Sequence, residues 1–185
     1  MTAYCQGVFP MANEDGDIFW YDPNPRAILP LDDFHVSRSL QRKVRKTNYE
    51  IRINSSFPAV IRACAQLAEG RESTWINDEI IRAYIELHSL GYAHSVETWM
   101  DEELVGGLYG VAINGFFAGE SMFSRRQDTS KLALVYLAEH LQHQNFLLLD
   151  VQFMTEHLRR FGAVEIPREA YHTQLARAIM LPVSF

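Results

Sequence analysis

Several familiar sources of chemistry are missing from this 185-residue chain. It has two cysteines, Cys5 and Cys64, too few for a disulfide framework. No apolar run approaches the ~20 residues that span a bilayer. Met1 to Gly7 has neither the basic nor the apolar region of a secretion signal. A reduced, cytoplasmic protein with no membrane partner is therefore expected. The seven histidines form no His-Glu-x-x-His motif. His140 and His143 are three apart on a predicted helix without an evident third ligand, so no metal is expected. Phosphate-binding loops and dinucleotide fingerprints are absent. Ser121, Ser124 and Ser130 lack the Gly-x-Ser-x-Gly surroundings of a nucleophile elbow.

What is present is a large apolar fraction, 48%, and an uneven distribution of charge. That content is enough for one domain with a sizeable core, or a domain with a small appendage. The formal net charge is -6, which argues against a surface that coats nucleic acid. Yet Arg38, Arg42, Lys43, Arg45 and Lys46 fall close together with no acid among them. Such a patch either steers a polyanion to one place or is simply the solvated face of a helix.

Helical periodicity and end signals predict helices over 39–46, 58–69, 78–90 and 130–142. Shorter helices are predicted from Thr155 to Phe161 and after Pro167. Asn77 is placed to cap the third, and Gly70, Gly91 and Gly162 to end their helices. The first thirty residues read as loops with short strands. Alternation predicts a strand from Ala93 to Trp99, and a continuous apolar run predicts a buried strand from Phe146 to Gln152. The run from Leu104 to Arg125 holds two apolar arms around Asn114-Gly115, a strong hairpin signal. This order of elements is α+β with a mixed sheet.

Three polar residues interrupt predicted strands. Glu120 follows Gly119 in the second hairpin arm, where a buried carboxylate needs a partner. Asp150 and Gln152 end the Phe146 strand, and residues two apart in a strand share a face. All three converge if the two strands are neighbours. They then form either a site or a hydrogen-bond network holding the loop from Ser124 to Ser130. Arg125, Arg126 and Lys131 are near enough in sequence to pair with Glu120 or to face a phosphate. Trp75 and Trp99 read as packing residues. Trp20, in a proline-rich loop, is the tryptophan suited to stacking on a base.

Several strings, taken together and in order, resemble the leucyl/phenylalanyl-tRNA–protein transferases. They are Gly7-Val-Phe-Pro10, Phe19-Trp-Tyr-Asp-Pro-Asn-Pro-Arg26, His35-Val-Ser-Arg-Ser39, Thr74-Trp-Ile76, His94-Ser, Leu104-Val-Gly-Gly-Leu-Tyr-Gly-Val111, Gly119-Glu-Ser-Met-Phe-Ser-Arg125, Asp150-Val-Gln152 and Gly162-Ala-Val-Glu-Ile-Pro-Arg168. The resemblance implies a fold like that of the GNAT acyltransferases. It implies transfer of Leu or Phe from aminoacyl-tRNA to the α-amine of proteins beginning with Arg or Lys, which marks them for the N-degron pathway. No cofactor is implied. Gln152 would contact the acceptor amine, Asp150 would tune it, and Glu120 would bind the acceptor's basic end. Leu108, Met122, Leu134, Leu137, Leu141 and Leu149 would line the pocket for the transferred side chain. Trp20 or Tyr21 would stack near the terminal adenosine. Arg38, Arg42, Lys43, Arg45 and Lys46 would meet the acceptor stem.

An aminoacyl ester is already activated, so aligning the two reactants supplies much of the acceleration. The chain departs from the family pattern in three places, one of them an early stop at Phe185. Only six residues precede Gly7, so the family's N-terminal domain is expected to be largely missing. Met11 also stands where tryptophan is usual. Residues 1–36 are then expected to be a remnant segment and linker, and 37–185 the catalytic domain. Two other readings compete: an acyl-CoA-dependent N-acyltransferase, and a non-catalytic binder of tRNA or N-degron proteins. For the former, the nearest pyrophosphate-loop string, Arg159-Arg-Phe-Gly-Ala-Val164, is a poor match.

Overall fold

The computed structural model describes residues 1–46, 48–67 and 73–185. Its helices are α1 (Thr2–Cys5), α2 (Arg38–Lys46), α3 (Phe57–Ala65), α4 (Asp78–Ser89), α5 (Thr129–His143), α6 (Glu156–Arg159) and α7 (Arg168–Ala178). Its strands are β1 (Phe9–Ala12), β2 (Ile18–Tyr21), β3 (Arg26–Ile28), β4 (Glu50–Ile53), β5 (Ala93–Met100), β6 (Glu103–Ile113), β7 (Phe116–Ser124), β8 (Leu148–Gln152) and β9 (Val164–Ile166). β1 and β2 pair as a separate ribbon. The other seven form one sheet in the order β4-β5-β6-β7-β8-β3-β9. Every pairing in it is antiparallel except β7 with β8. The α+β expectation is met by this mixed sheet with helices packed on both faces.

Two apolar clusters cover the two faces of this sheet. One joins Phe57, Val60 and Ile61 of α3, Ile80 and Tyr84 of α4, and Tyr171 and Leu175 of α7. The other is built around α5, through Leu134, Leu137 and Leu141, with Leu40 of α2 and Leu158 of α6. Coverage of both faces explains why strict alternation fails along β5. There even Glu97 is fully buried, held by the Ser56 N–H at 2.7 Å, the Ser95 hydroxyl at 2.8 Å and the Trp99 indole at 2.9 Å.

The local signals act where expected. Asn114 takes a φ of 51° and its turn joins Ile113 to Phe116. The Asn77 side chain accepts from the Ile80 N–H at 2.9 Å, and Thr155 caps α6. The helix predicted over 58–69 ends earlier, at Ala65, where Gln66 turns extended; its predicted stop, Gly70, lies outside the described residues. A bulge interrupts β6 and β7 at Tyr109/Gly110. A Cβ on Gly110 would meet the Ala118 carbonyl oxygen at 2.3 Å, so glycine is required there.

Sequence periodicity gave no sign of α1 or β4, both only four residues long. β3 belongs to the large sheet, pairing with both β8 and β9. The proposed division after residue 36 therefore crosses a hydrogen-bonded sheet. Segment 1–36 is woven into the fold through Arg26, Ala27 and Ile28, all buried.

Candidate functional site

β7 and β8 are neighbours over only three residue pairs, Phe116↔Leu148, Phe117↔Leu149 and Ala118↔Asp150. Beyond that point β7 continues to Ser124 against β6 alone. The strands separate, and a cavity of about 270 Å³ opens at the gap. Its wall includes Gly119, Glu120, Ser121 and Met122 from β7, and Leu149, Val151, Gln152 and Phe153 from the β8 end. Leu108 of β6 and Leu134 and Leu137 of α5 close its apolar side, with Leu158 of α6. Five of the six predicted pocket residues therefore line one cavity. Leu141 does not: it is fully buried in the cluster beneath. An i+4 position on α5 shares the face of Leu137 but lies one turn further along.

Glu120 and Gln152 both line this cavity, so the neighbouring strands bring two of the three polar residues together. The Tyr4 hydroxyl donates to Glu120 Oε1 at 2.6 Å and is itself hydrogen-bonded with the Tyr84 hydroxyl. Burial pushes the Glu120 carboxyl up to about 7, against the lowering effect of the two tyrosine hydroxyls. Burial also raises both tyrosines well above their ordinary range, with the Glu120 charge adding to it. The neutral Tyr4 hydroxyl thus donates to Glu120, and no cation is paired with it among the described residues. Arg125 instead donates to the Leu104 carbonyl at 3.0 Å. Arg126 pairs with Glu103 at 3.3 Å and Lys131 with Asp128 at 2.5 Å.

Asp150 is fully buried and does not line the cavity. Its carboxylate accepts from Arg26 Nε at 2.9 Å and Arg26 Nη2 at 2.6 Å. The Tyr171 hydroxyl donates to Oδ2 at 3.0 Å, and the Gln152 N–H to Oδ1 at 3.0 Å. Gln152 has a φ of 58°, outside the extended region, so the shared-face rule does not govern it. Its Nε2 is buried with no hydrogen-bond partner among the described residues.

The alternative network around Ser124 and Ser130 exists separately. Ser124 Oγ donates to Ser130 Oγ at 2.8 Å and accepts from the Ser130 N–H at 3.0 Å. It takes in none of Glu120, Asp150 or Gln152.

The predicted stacking residues are elsewhere. Trp20 is 58% exposed on β2 and Tyr21 stacks on Phe9 with ring centres 6.0 Å apart; neither lines the cavity. The indole that does line it is Trp75, beside Met11 and Phe9. Trp75 is brought there by the Ala12 N–H, which donates to its carbonyl at 3.1 Å. Periodicity could not find it, because that contact joins a loop to a distant ribbon.

On α2, Arg38, Arg42 and Arg45 are exposed. Lys43 pairs with Asp128 at the start of α5, and nothing is described of the Lys46 side chain. A second cavity, of about 730 Å³ and lined by Ser37, Ser39, Lys43 and Lys131, lies beside α2. His157 lines both cavities, so the second adjoins the first. The Arg159–Val164 string runs from α6 into β9 rather than into a helix. It therefore offers no helix N-terminus to a pyrophosphate. No cluster with metal-ligand character occurs among the described residues, and no helix there is long and apolar enough to cross a membrane.

A solved structure titled as L-PGS from Bacillus licheniformis shares the fold, with a TM-score of 0.53 over 84% of this chain and 65% of that one, at 13% identity. The leucyl/phenylalanyl-tRNA–protein transferase of Paramagnetospirillum magneticum is 54% identical over 97% of this chain and 87% of its own. That of Herpetosiphon aurantiacus is 54% identical over 98% of this chain and 93% of its own. The family profile described as leucyl/phenylalanyl-tRNA protein transferase matches residues 28–176, and that of its N-terminal domain matches residues 1–24. With Gly119, Glu120 and Gln152 lining one cavity and Asp150 buried behind it, the chain belongs to the leucyl/phenylalanyl-tRNA–protein transferase family, enzymes that carry an aminoacyl group from tRNA to protein.

Proposed function

We propose that this chain transfers Leu or Phe from aminoacyl-tRNA to the α-amine of proteins that begin with Arg or Lys, marking them in the cytoplasm for N-degron degradation. The observation that carries this reading is an apolar cavity lined by a carboxylate with no ion-pair partner and an amide nitrogen with no hydrogen-bond partner among the described residues. Leu108, Met122, Leu134, Leu137 and Leu149 take the side chain of the transferred residue. Glu120 meets the cationic side chain of the acceptor, an opposite charge that favours its ionised form. Trp75 stacks on the terminal adenine, a contact worth about 1–3 kcal/mol. The exposed arginines of α2 meet phosphates of the acceptor stem.

In the reaction the acceptor nitrogen attacks the ester carbonyl. The new amide bond forms, the bond from that carbonyl to the ribose oxygen breaks, and the ribose hydroxyl leaves with a proton. Gln152 orients the amine through its carboxamide oxygen, while its Nε2 remains free to donate toward the carbonyl oxygen as that becomes negative. A glutamine is too weak a base to remove the proton, so its contribution is alignment.

The test is to incubate the protein with radiolabelled Leu-tRNA or Phe-tRNA and a peptide beginning with Arg. Label is expected in the peptide, and not in the same peptide with an acetylated N-terminus. Intact charged tRNA bound without transfer, or acyl transfer from acetyl-CoA instead, overturns the proposal.

A further inference from the structure

Behind Gln152 stands a buried arginine that the reaction as described does not use. Arg26 is 1% exposed, on the short strand β3. It grips Asp150 with two nitrogens, and its Nη1 donates to the Gly7 carbonyl at 2.9 Å. Its guanidinium lies 4.8 Å from the centre of the Phe9 ring and 4.3 Å from that of Tyr171. Guanidinium geometry suits this double grip and stacking, and lysine cannot reproduce it.

With Tyr171 and the Gln152 N–H added, Asp150 accepts four hydrogen bonds, two on each oxygen. A carboxylate has about four lone-pair sites, so none is left for a substrate. The last of these bonds reaches the residue that faces the cavity. Gln152 sits at the centre of a three-residue turn in which the Phe153 N–H donates to the Val151 carbonyl at 2.7 Å. With φ at 58° this is the rare, strained form of that turn, which persists only where its surroundings over-determine it.

We infer that Arg26 and Tyr171 are positioning residues for aminoacyl transfer: they fix Asp150 as a fully bonded carboxylate, which through the Gln152 N–H holds the turn that presents the Gln152 carboxamide to the cavity. This rests on the reading that Gln152 meets the acceptor amine. Asp150 is then a support for the turn and not the acceptor of the reacting proton. The clamp also draws the distant ends of the chain to the site, since Gly7 and α7 both bear on it.

The experiment compares Tyr171→Phe and Arg26→Lys in the wild-type and Asp150→Asn backgrounds, using labelled Leu-tRNA and an Arg-initiated peptide. Tyr171→Phe removes one hydroxyl and keeps the ring against Arg26. Hydrogen bonds to charged groups carry effects on the order of 10-fold or more, so kcat is expected to fall about 10-fold. The KM for Leu-tRNA is expected to stay within about 2-fold, because the apolar cavity is untouched. In the Asp150→Asn background the same substitution is expected to have no further effect, as for residues acting through one partner. A merely structural role predicts equal losses in both backgrounds, and that result overturns the inference.

Crystal structures of both variants supply a readout independent of activity. Gln152 is expected to return to negative φ in at least one of them. An unmoved Gln152 turn in both overturns the clamp, and should Arg26→Lys fail to fold, Tyr171→Phe decides alone. Absence of transfer by the wild-type protein would refute the proposed reaction, while the Gln152 conformation would still decide the clamp.

Discussion

Replacing Glu120 with glutamine should make this protein more stable in a pH-dependent way, while weakening its grip on a cationic acceptor. The carboxyl is pushed from 4.5 to about 7 by burial in the cavity wall. The folded state therefore holds a proton that the unfolded chain releases near 4.5. Below that pH both states are protonated and the displacement has no effect. As pH rises toward 7 the unfolded state ionises first, so folding loses stability; above about 7 both are ionised and the loss is complete. A displacement of that size corresponds to about 3 kcal/mol, an upper figure because water enters the cavity. Glutamine keeps the shape and still accepts from Tyr4, but carries no charge to desolvate.

The assay is urea unfolding of both proteins at several pH values between 4.5 and 8. The stability difference in favour of Glu120→Gln is expected to grow by about 1–3 kcal/mol over that range and then level off. In the same variant, discrimination in kcat/KM between a peptide beginning with Arg and one beginning with norleucine should fall about 10-fold or more, since a charge-assisted contact is lost. The two peptides share an α-amine, so its own titration cancels in the ratio. A stability difference that stays constant from pH 4.5 to 8 would refute the desolvation argument. Unchanged discrimination would refute the role of Glu120 as reader of the acceptor.

Two further results are expected. Trp75→Ala should weaken binding of aminoacyl-tRNA by about 5- to 150-fold, the range for losing one base-stacking contact, whereas Trp20→Ala should change it less than 2-fold; equal effects would put the adenine elsewhere. Substituting Arg38, Arg42 and Arg45 with glutamine should weaken tRNA binding and flatten its dependence on salt, measured by filter binding between about 50 and 200 mM, with no change in Leu over Phe preference. An unaltered salt slope would leave α2 as a solvated face.

The fold was legible where short-range chemistry decides. Asn114-Gly115 made its turn, Asn77 and Thr155 made their caps, and helical periodicity located α3, α4 and α5. Alternation located β5 but not its burial, because helices cover both faces of the sheet and even Glu97 is buried. The candidate site was half legible. Glu120, Asp150 and Gln152 stood out because each breaks an apolar strand, and the sheet brings Glu120 and Gln152 to one cavity. Their partners were not legible. Tyr4 and Tyr84 are 80 residues apart, and Arg26 is 124 residues from Asp150. Nothing local distinguishes an arginine after Asn24-Pro25 that faces solvent from one that is buried. Trp20 and Tyr21 attracted attention by composition, yet Trp75 lines the cavity.

By itself, then, the sequence determined the longer elements, their α+β order, the family strings and the identity of the polar residues set into strands. These follow from backbone propensities, caps and apolar periodicity, which act within a few turns of chain. Only the tertiary structure decided that β7 and β8 part after Ala118, that an apolar cavity opens there, and that Arg26 and Tyr171 stand behind Gln152. Those outcomes depend on which strands become neighbours, and pairing between distant segments, β7 with β8 or β3 with β8, leaves no periodic mark on either partner.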